Sequence, residues 1–177
     1  MKSKADFITF ILCFVFGITI AQTKSNSVKK VTISGTVLHS FSYCGGIEPS
    51  PEMMAEFTKL KPYAGKIFYV RKGKTNTTKG KIILSFKADT TGKFSFQLPP
   101  GNYSIIQQQQ VKKLDITLYK KQFITADENC LKTWWEKPYH VLEIKDKNIS
   151  KIEFKFNHPC FISDDIPCLQ YDGPMPP

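Results

Sequence analysis

Val31, Ile33, Gly35 and Val37 alternate with Thr32, Ser34 and Thr36, the period of two that sends every second side chain to one buried face of a strand. The alternation returns in Ile82, Leu84 and Phe86, in Phe94, Phe96 and Leu98, in Leu142 and Ile144, and in Ile152, Phe154 and Phe156. Lys66 to Arg71 and Tyr103 to Gln107 complete seven predicted strands, and Leu114, Ile116 and Leu118 make an eighth candidate. Asp89-Thr90-Thr91-Gly92 and Pro99-Pro100-Gly101-Asn102 stand between successive runs. Proline fixes φ and glycine supplies the positive φ of tight turns, so both segments read as hairpins. A helical turn or two is expected over Met53 to Leu60, after Pro51, and nothing longer is indicated. The pattern predicts an all-β chain, an antiparallel β-sandwich of seven strands, or eight with the extra candidate.

If those strands run alternately up and down, the connections sort by end. The long segment His39 to Tyr63, the Asp89 hairpin, the excursion Val111 to His140 and the tail from Asn157 leave one end, here the upper. Gly73 to Gly80, Pro99 to Asn102 and Asp146 to Asn148 leave the other. Cys44, Cys130, Cys160, Cys168, His39, His140, His158, Trp134 and Trp135 all fall on the upper set. Binding residues gather on loops at one end of such scaffolds, which makes Trp134, Trp135 and His140 candidate ligand contacts. The competing reading is a cap, in which disulfides and buried tryptophans tie long loops over the core.

The 177 residues, 41% hydrophobic and 23% charged, suffice for one cored domain and exclude wholesale disorder. Lys2 and Lys4, the apolar run Phe7 to Ile20 and the small residues before Gln22 read as a signal peptide over 1–21. Fourteen apolar residues are short for a membrane span, which needs about 20. No small residue precedes Cys13 as a lipoprotein site requires. The expected plan is signal peptide 1–21, flexible leader 22–30, a sandwich over 31–157 with an insertion at 111–140, and a Cys/Pro-rich tail over 158–177. No membrane span is expected after cleavage, and the expected location is periplasmic or secreted. Export places Cys44, Cys130, Cys160 and Cys168 in an oxidising compartment, where two disulfides are expected. Four cysteines pair in three ways, and the seven residues between Cys160 and Cys168 allow a local bridge.

The formal charge of +10 invites a nucleic-acid reading, yet Arg71 is the only arginine, so bidentate recognition lacks its raw material. The lysines are spread over the chain and read as a solvated surface, with Lys72, Lys74, Lys79 and Lys81 as a possible polyanion contact. His39 and His158 with the nearby cysteines form the alternative reading, a copper or zinc site, since imidazole and thiolate suit both metals. Neither Cys-x-x-Cys nor His-Glu-x-x-His occurs, and no cofactor is implied. Asn76, Asn102 and Asn148 each open an Asn-x-Ser/Thr triplet. Asp164 and Asp165 lack a partner that spacing identifies, and no nucleophile stands beside a base.

Four segments carry a resemblance: Ile33-Ser34-Gly35-Thr36-Val37; Tyr63-Ala64-Gly65-Lys66-Ile67-Phe68-Tyr69-Val70; Asp89-Thr90-Thr91-Gly92-Lys93-Phe94-Ser95-Phe96; and Leu98-Pro99-Pro100-Gly101-Asn102-Tyr103. Together they resemble the carboxypeptidase regulatory-like domain, a transthyretin-like sandwich, over about Val31 to Ile106, with Leu142 to Phe156 fitting the last two strands. Cys44-Gly45-Gly46 and the terminal Gly173-Pro174-Met175-Pro176-Pro177 are similar to exported proteins of the Bacteroidetes type. The resemblance implies a non-catalytic accessory domain. A transthyretin-like hydroxyisourate hydrolase needs paired histidines, an arginine and a Tyr-Arg-Gly-Ser terminus, which Tyr171-Asp172-Gly173-Pro174 does not match. The expectation is an exported, disulfide-stabilised module that is not an enzyme and meets an extracytoplasmic protein or glycan. The alternative is a metal-binding or small-ligand protein using the Cys/His/Trp-rich end.

Overall fold

The computed structural model describes residues 29–113, 115, 117, 123–162 and 165–174. The expected signal peptide, most of the expected leader, Leu114, Ile116 and Leu118 of the eighth candidate strand, Asp164 and residues 175–177 lie outside the described residues. In chain order the elements are strand β1 (Val31–Phe41), helix α1 (Pro51–Thr58), and strands β2 (Lys61–Pro62), β3 (Ile67–Lys72), β4 (Ile82–Lys87), β5 (Lys93–Leu98) and β6 (Gly101–Gln107). A 3-10 turn at Gln108–Gln110 follows, then strand β7 (Ile124–Ala126), helix α2 (Glu128–Glu136), and strands β8 (His140–Ile144), β9 (Ile149–His158) and β10 (Leu169–Tyr171).

Two four-stranded sheets face each other. One is antiparallel in the order β4-β3-β6-β8; the other is built around β1. Along one edge β1 pairs antiparallel with β5 over its first half and with β2 near its end; along the other it pairs parallel with β9. The parallel pair departs from an all-antiparallel sandwich for a reason the alternation contains. First and seventh strands of an up-down series run the same way, so they pair in parallel when they become neighbours. Gly35 makes that neighbour fit: a Cβ there would stand 2.1 Å from the Ile152 carbonyl oxygen and 2.8 Å from the Phe94 ring. The register slips at the same place, between Ile33 and Gly35, and Lys151 opposite takes φ +63°.

The alternating apolar positions of both sheets meet in one core. Its centre is aromatic: Phe68 lies 5.0 Å from Phe154 and Phe86 lies 4.8 Å from Phe94, between ring centroids across the two sheets. A smaller core joins Ile124, Leu131, Ile162, Ile166, Cys168 and Leu169 from the insertion and the tail, beside the two-stranded sheet β7-β10.

Helix α1 falls where Pro51 and the apolar residues after it predict a turn or two, capped by Ser50 accepting from the Met53 amide. Helix α2 corrects the expectation of nothing longer. Asp127 caps it by accepting from the amides of Asn129 and Cys130, and only Leu131 and Trp135, four residues apart, are buried on it. One such pair is too little periodicity to stand out in a nine-residue segment.

The upper end holds the close of β1 and β9, paired at Phe41 and His158, and the junction of β6 and β8, paired at Ile105 and His140. Tyr63 donates its amide to Val37 and Gly65 to Ala88, bringing the start of β3 and the Asp89 turn to that end. The segment 73–80 leaves the opposite end but folds back against α2. Its Asn76 amide nitrogen donates to the carbonyls of Gln110 and Trp135, and its backbone amide donates to Glu136. Buried Arg71 donates to the carbonyls of Thr77 and Val111. Among the described residues no helix is long and apolar enough to cross a membrane.

Candidate functional site

Two disulfides pin the upper end. Cys44, just beyond β1, pairs with Cys160, just beyond β9, and Cys130 of α2 pairs with Cys168 beside β10. The local Cys160–Cys168 bridge that spacing allows does not form. Parallel β1 and β9 end together, so the cysteines that follow each strand meet across the sheet; Cys168 instead joins the small core below α2.

Beneath the first disulfide lies a buried polar cluster. Asp165, 4% exposed, takes an ion pair from the Lys66 ammonium and a hydrogen bond from the Tyr63 hydroxyl at 3.0 Å, both on Oδ2. Its Oδ1 stands 3.1 Å from Nδ1 of His158, close enough for an ion pair though not aligned as a hydrogen bond. Nε2 of His158 stands 3.0 Å from Nδ1 of His39, whose ring stacks on Tyr63 with centroids 4.5 Å apart. The Lys66 ammonium also sits 4.6 Å from the Phe156 ring centroid. Burial holds the His39 imidazole below its ordinary range, and the neighbouring His158 adds to that, against a partial pull upward from Asp165. The members come from four stretches of chain, the end of β1, the approach to β3, the end of β9 and the tail, so the cluster ties these together.

The structure does bring His39 and His158 into contact. Both ring nitrogens of His158 face protein partners, whereas a metal ligand must aim one lone pair at the ion. Among the described residues no three His, Cys, Asp or Glu side chains gather as a metal's ligands would, and the four described cysteines are in disulfides.

Beside this cluster opens a cleft of about 460 Å³ between the end of β9, the close of α2 and the tail. Trp134, Tyr139 and Phe156 give it aromatic walls, and Ile166, Pro167 and Leu169 line it from the tail side. Tyr139 stacks on Phe156 with centroids 4.9 Å apart, and its hydroxyl donates to the Lys155 carbonyl at 2.8 Å. Burial raises the Tyr139 phenol above its ordinary range, so it stays a neutral donor. Lys137 and Lys155 stand exposed at the rim. Gln110 is buried with its side-chain amide donating to the carbonyls of Trp134 and Lys137, which holds the end of α2 against β6.

The three candidate ligand contacts separate. Trp134 is half-buried and lines the cleft. Trp135, next to it, points the other way, is buried, and donates its indole N–H to the Lys112 carbonyl at 3.0 Å. His140 lines a separate shallow groove with Lys74, Thr75 and Val141, and burial lowers its imidazole. No sequence pattern marks Tyr63, Lys66, Tyr139, Phe156 or Asp165 as a site residue; the fold alone brings them to the cleft and the cluster. Of the triplet asparagines, Asn76 is buried with its amide engaged, whereas Asn102 and Asn148 are exposed.

No protein-family model matches the chain, and no curated protein matches it. Similar solved structures include a DUF3823 family protein from Parabacteroides merdae, 10% identical over 71% of this chain and 45% of that one, with a TM-score of 0.34. Another is GBS52, the minor pilin of Streptococcus agalactiae, 9% identical over 78% of this chain and 48% of that one, with a TM-score of 0.33. A third is the Bacillus anthracis TIE protein, 14% identical over 72% and 16% of the two chains, with a TM-score of 0.30. The chain spans less than half the length of each. Likeness at this level carries no argument about activity or partners.

Proposed function

We propose that this chain is an exported, non-catalytic β-sandwich module of the transthyretin-like, carboxypeptidase regulatory-like kind, working by contact at its disulfide-pinned end. Residues 1–21 are its cleaved signal peptide in this reading, and its place is the periplasm or the cell exterior. The observation that carries it is the cleft. Its volume falls within the roughly 300–1,000 Å³ of ligand sites, with apolar walls and a few polar groups, and two disulfides fix the segments that form it. The neighbouring Asp165 cluster supports a holding role rather than a reactive one, because its carboxylate is already engaged at Oδ2 by Lys66 and Tyr63. Trp134 is the ligand contact, Trp135 is its anchor, and His140 lies outside the site.

The test is binding of the oxidised chain to a peptide library and to a glycan array, with Trp134→Ala beside the wild type. Retention by the wild type and loss in the variant, at unchanged circular dichroism, is the expected result. Absence of retention on either support, or equal retention by the variant, counts against the cleft.

A further inference from the structure

We infer that the cleft receives an extended peptide, which adds to the free edge of β9 as another strand; this rests on the cleft being the contact site. Among the described residues β9 pairs with β1 and with no other strand. The direction of its backbone groups is fixed by two hydrogen bonds. The His158 carbonyl turns toward β1, accepting from the Ser42 amide, whereas the Lys155 carbonyl turns outward, accepting from the Tyr139 hydroxyl. Backbone groups alternate between the two edges of a strand. Glu153, Lys155 and Asn157 therefore present their amides and carbonyls to the outer edge, over roughly 13 Å of strand at 3.3 Å per residue.

Exposed strand edges invite pairing, and proteins blunt them with charges and bulges. On β9 those devices are unevenly placed. Lys151 carries the positive φ of the register slip, and the exposed pair Lys155–Glu153, 2.6 Å apart, covers the middle. At the upper end Lys155, Phe156 and Asn157 open directly into the cleft. The Asn157 side chain turns back to Ser40 and Ser42. Tyr139 occupies one lone pair of the Lys155 carbonyl; the second remains.

An incoming strand takes the Lys155 and Asn157 amides with its carbonyls, donates its own amides to the Lys155 and Asn157 carbonyls, and sends alternate side chains toward Trp134, Ile166 and Leu169. Main-chain bonding and packing on the apolar wall together supply affinity, and the wall supplies selectivity. A glycan has no means of following a strand edge with a two-residue repeat.

The experiment pans the oxidised chain against a phage-displayed library of random dodecapeptides and, in parallel, an array of bacterial and host glycans. The best peptide is then resynthesised with each amide N-methylated in turn. Methylation is expected to weaken binding about tenfold at every second position and little between, the value of one hydrogen bond. Amide exchange of Lys155 and Asn157 is expected to slow about tenfold in the bound state. Peptide binding without the two-residue repeat, or without that protection, overturns the strand addition and leaves the cleft as a contact site. Binding to glycans alone does the same. Binding to neither overturns both.

Discussion

Asp165 lies 99 positions beyond Lys66 in the chain and is its buried counter-ion, with 4% and 9% of the two side chains exposed. Removing one member strands the other charge out of water, which costs about 3–5 kcal/mol, whereas replacing both with apolar groups of similar size is often neutral. Asp165→Ala is expected to lower unfolding free energy by that amount, and Lys66→Met with Asp165→Leu to recover most of it. Urea titration of the three proteins checks it, with equal loss in the single and double variants as the contrary result.

The two disulfides close loops of very different length, 116 residues for Cys44–Cys160 and 38 for Cys130–Cys168. Chain entropy alone puts their contributions at about 5 and 4 kcal/mol, treated separately. The positional effects are expected to differ more than the energies. Replacing Cys44 and Cys160 with serine frees the ends of β1 and β9, while replacing Cys130 and Cys168 loosens the small core under α2. Hydrogen exchange on the two variants distinguishes these patterns, and non-reducing digestion with mass spectrometry checks the pairing itself.

How much of this arrangement is legible in the sequence depends on the range of the interaction. The five alternating runs each lie in a strand, because the period of two is a local consequence of burying one face. The gathering of cysteines and histidines at one end follows from counting strand directions. The Asp165 cluster was not legible, since its members come from three strand ends and a tail, and no local pattern marks Lys66 among 24 other basic residues. The opposite roles of Trp134 and Trp135 were not legible either. Adjacent helical residues point about 100° apart, and which one meets the core depends on where Asp127 starts the helix.

Acidification is expected to destabilise the fold between about pH 7 and pH 5. His39 and His140 are both held below the ordinary imidazole value of 6.5, chiefly by burial. Below that value the unfolded chain binds protons that the folded chain resists, so stability is present above it and is lost as pH falls through the lowered folded values. Urea midpoints across this range are expected to drop, and to drop less in His140→Phe, which keeps the apolar contact with Phe154 and cannot titrate. An unchanged slope in that variant counts against His140 as a source.

Asn76 is expected to be indispensable although it sits in a turn segment. Its side-chain amide satisfies two buried carbonyls, at 2.9 Å to Gln110 and 2.8 Å to Trp135, and a buried group left unpaired costs about 1–3 kcal/mol. Asn76→Ala should fall in that range per orphaned carbonyl. In a host that glycosylates Asn-x-Ser/Thr triplets, modified protein should carry glycans at Asn102 or Asn148 and not at Asn76, which mass spectrometry reads directly.

Trp134 and Trp135 provide the sharpest separation of binding from stability. Trp135 is 8% exposed and joins α2 to Lys112 through its indole N–H. Truncating such a ring leaves a cavity and an unmatched carbonyl, about 3–5 kcal/mol in total. Trp134 faces the cleft, and its indole N–H makes no hydrogen bond among the described residues. Trp134→Ala is therefore expected to cost far less stability than Trp135→Ala and to abolish retention of any selected ligand. If both variants lose stability equally, the end of α2 is a cap with two anchors. If Trp134→Ala binds as the wild type does, the aromatic wall is not what holds the partner.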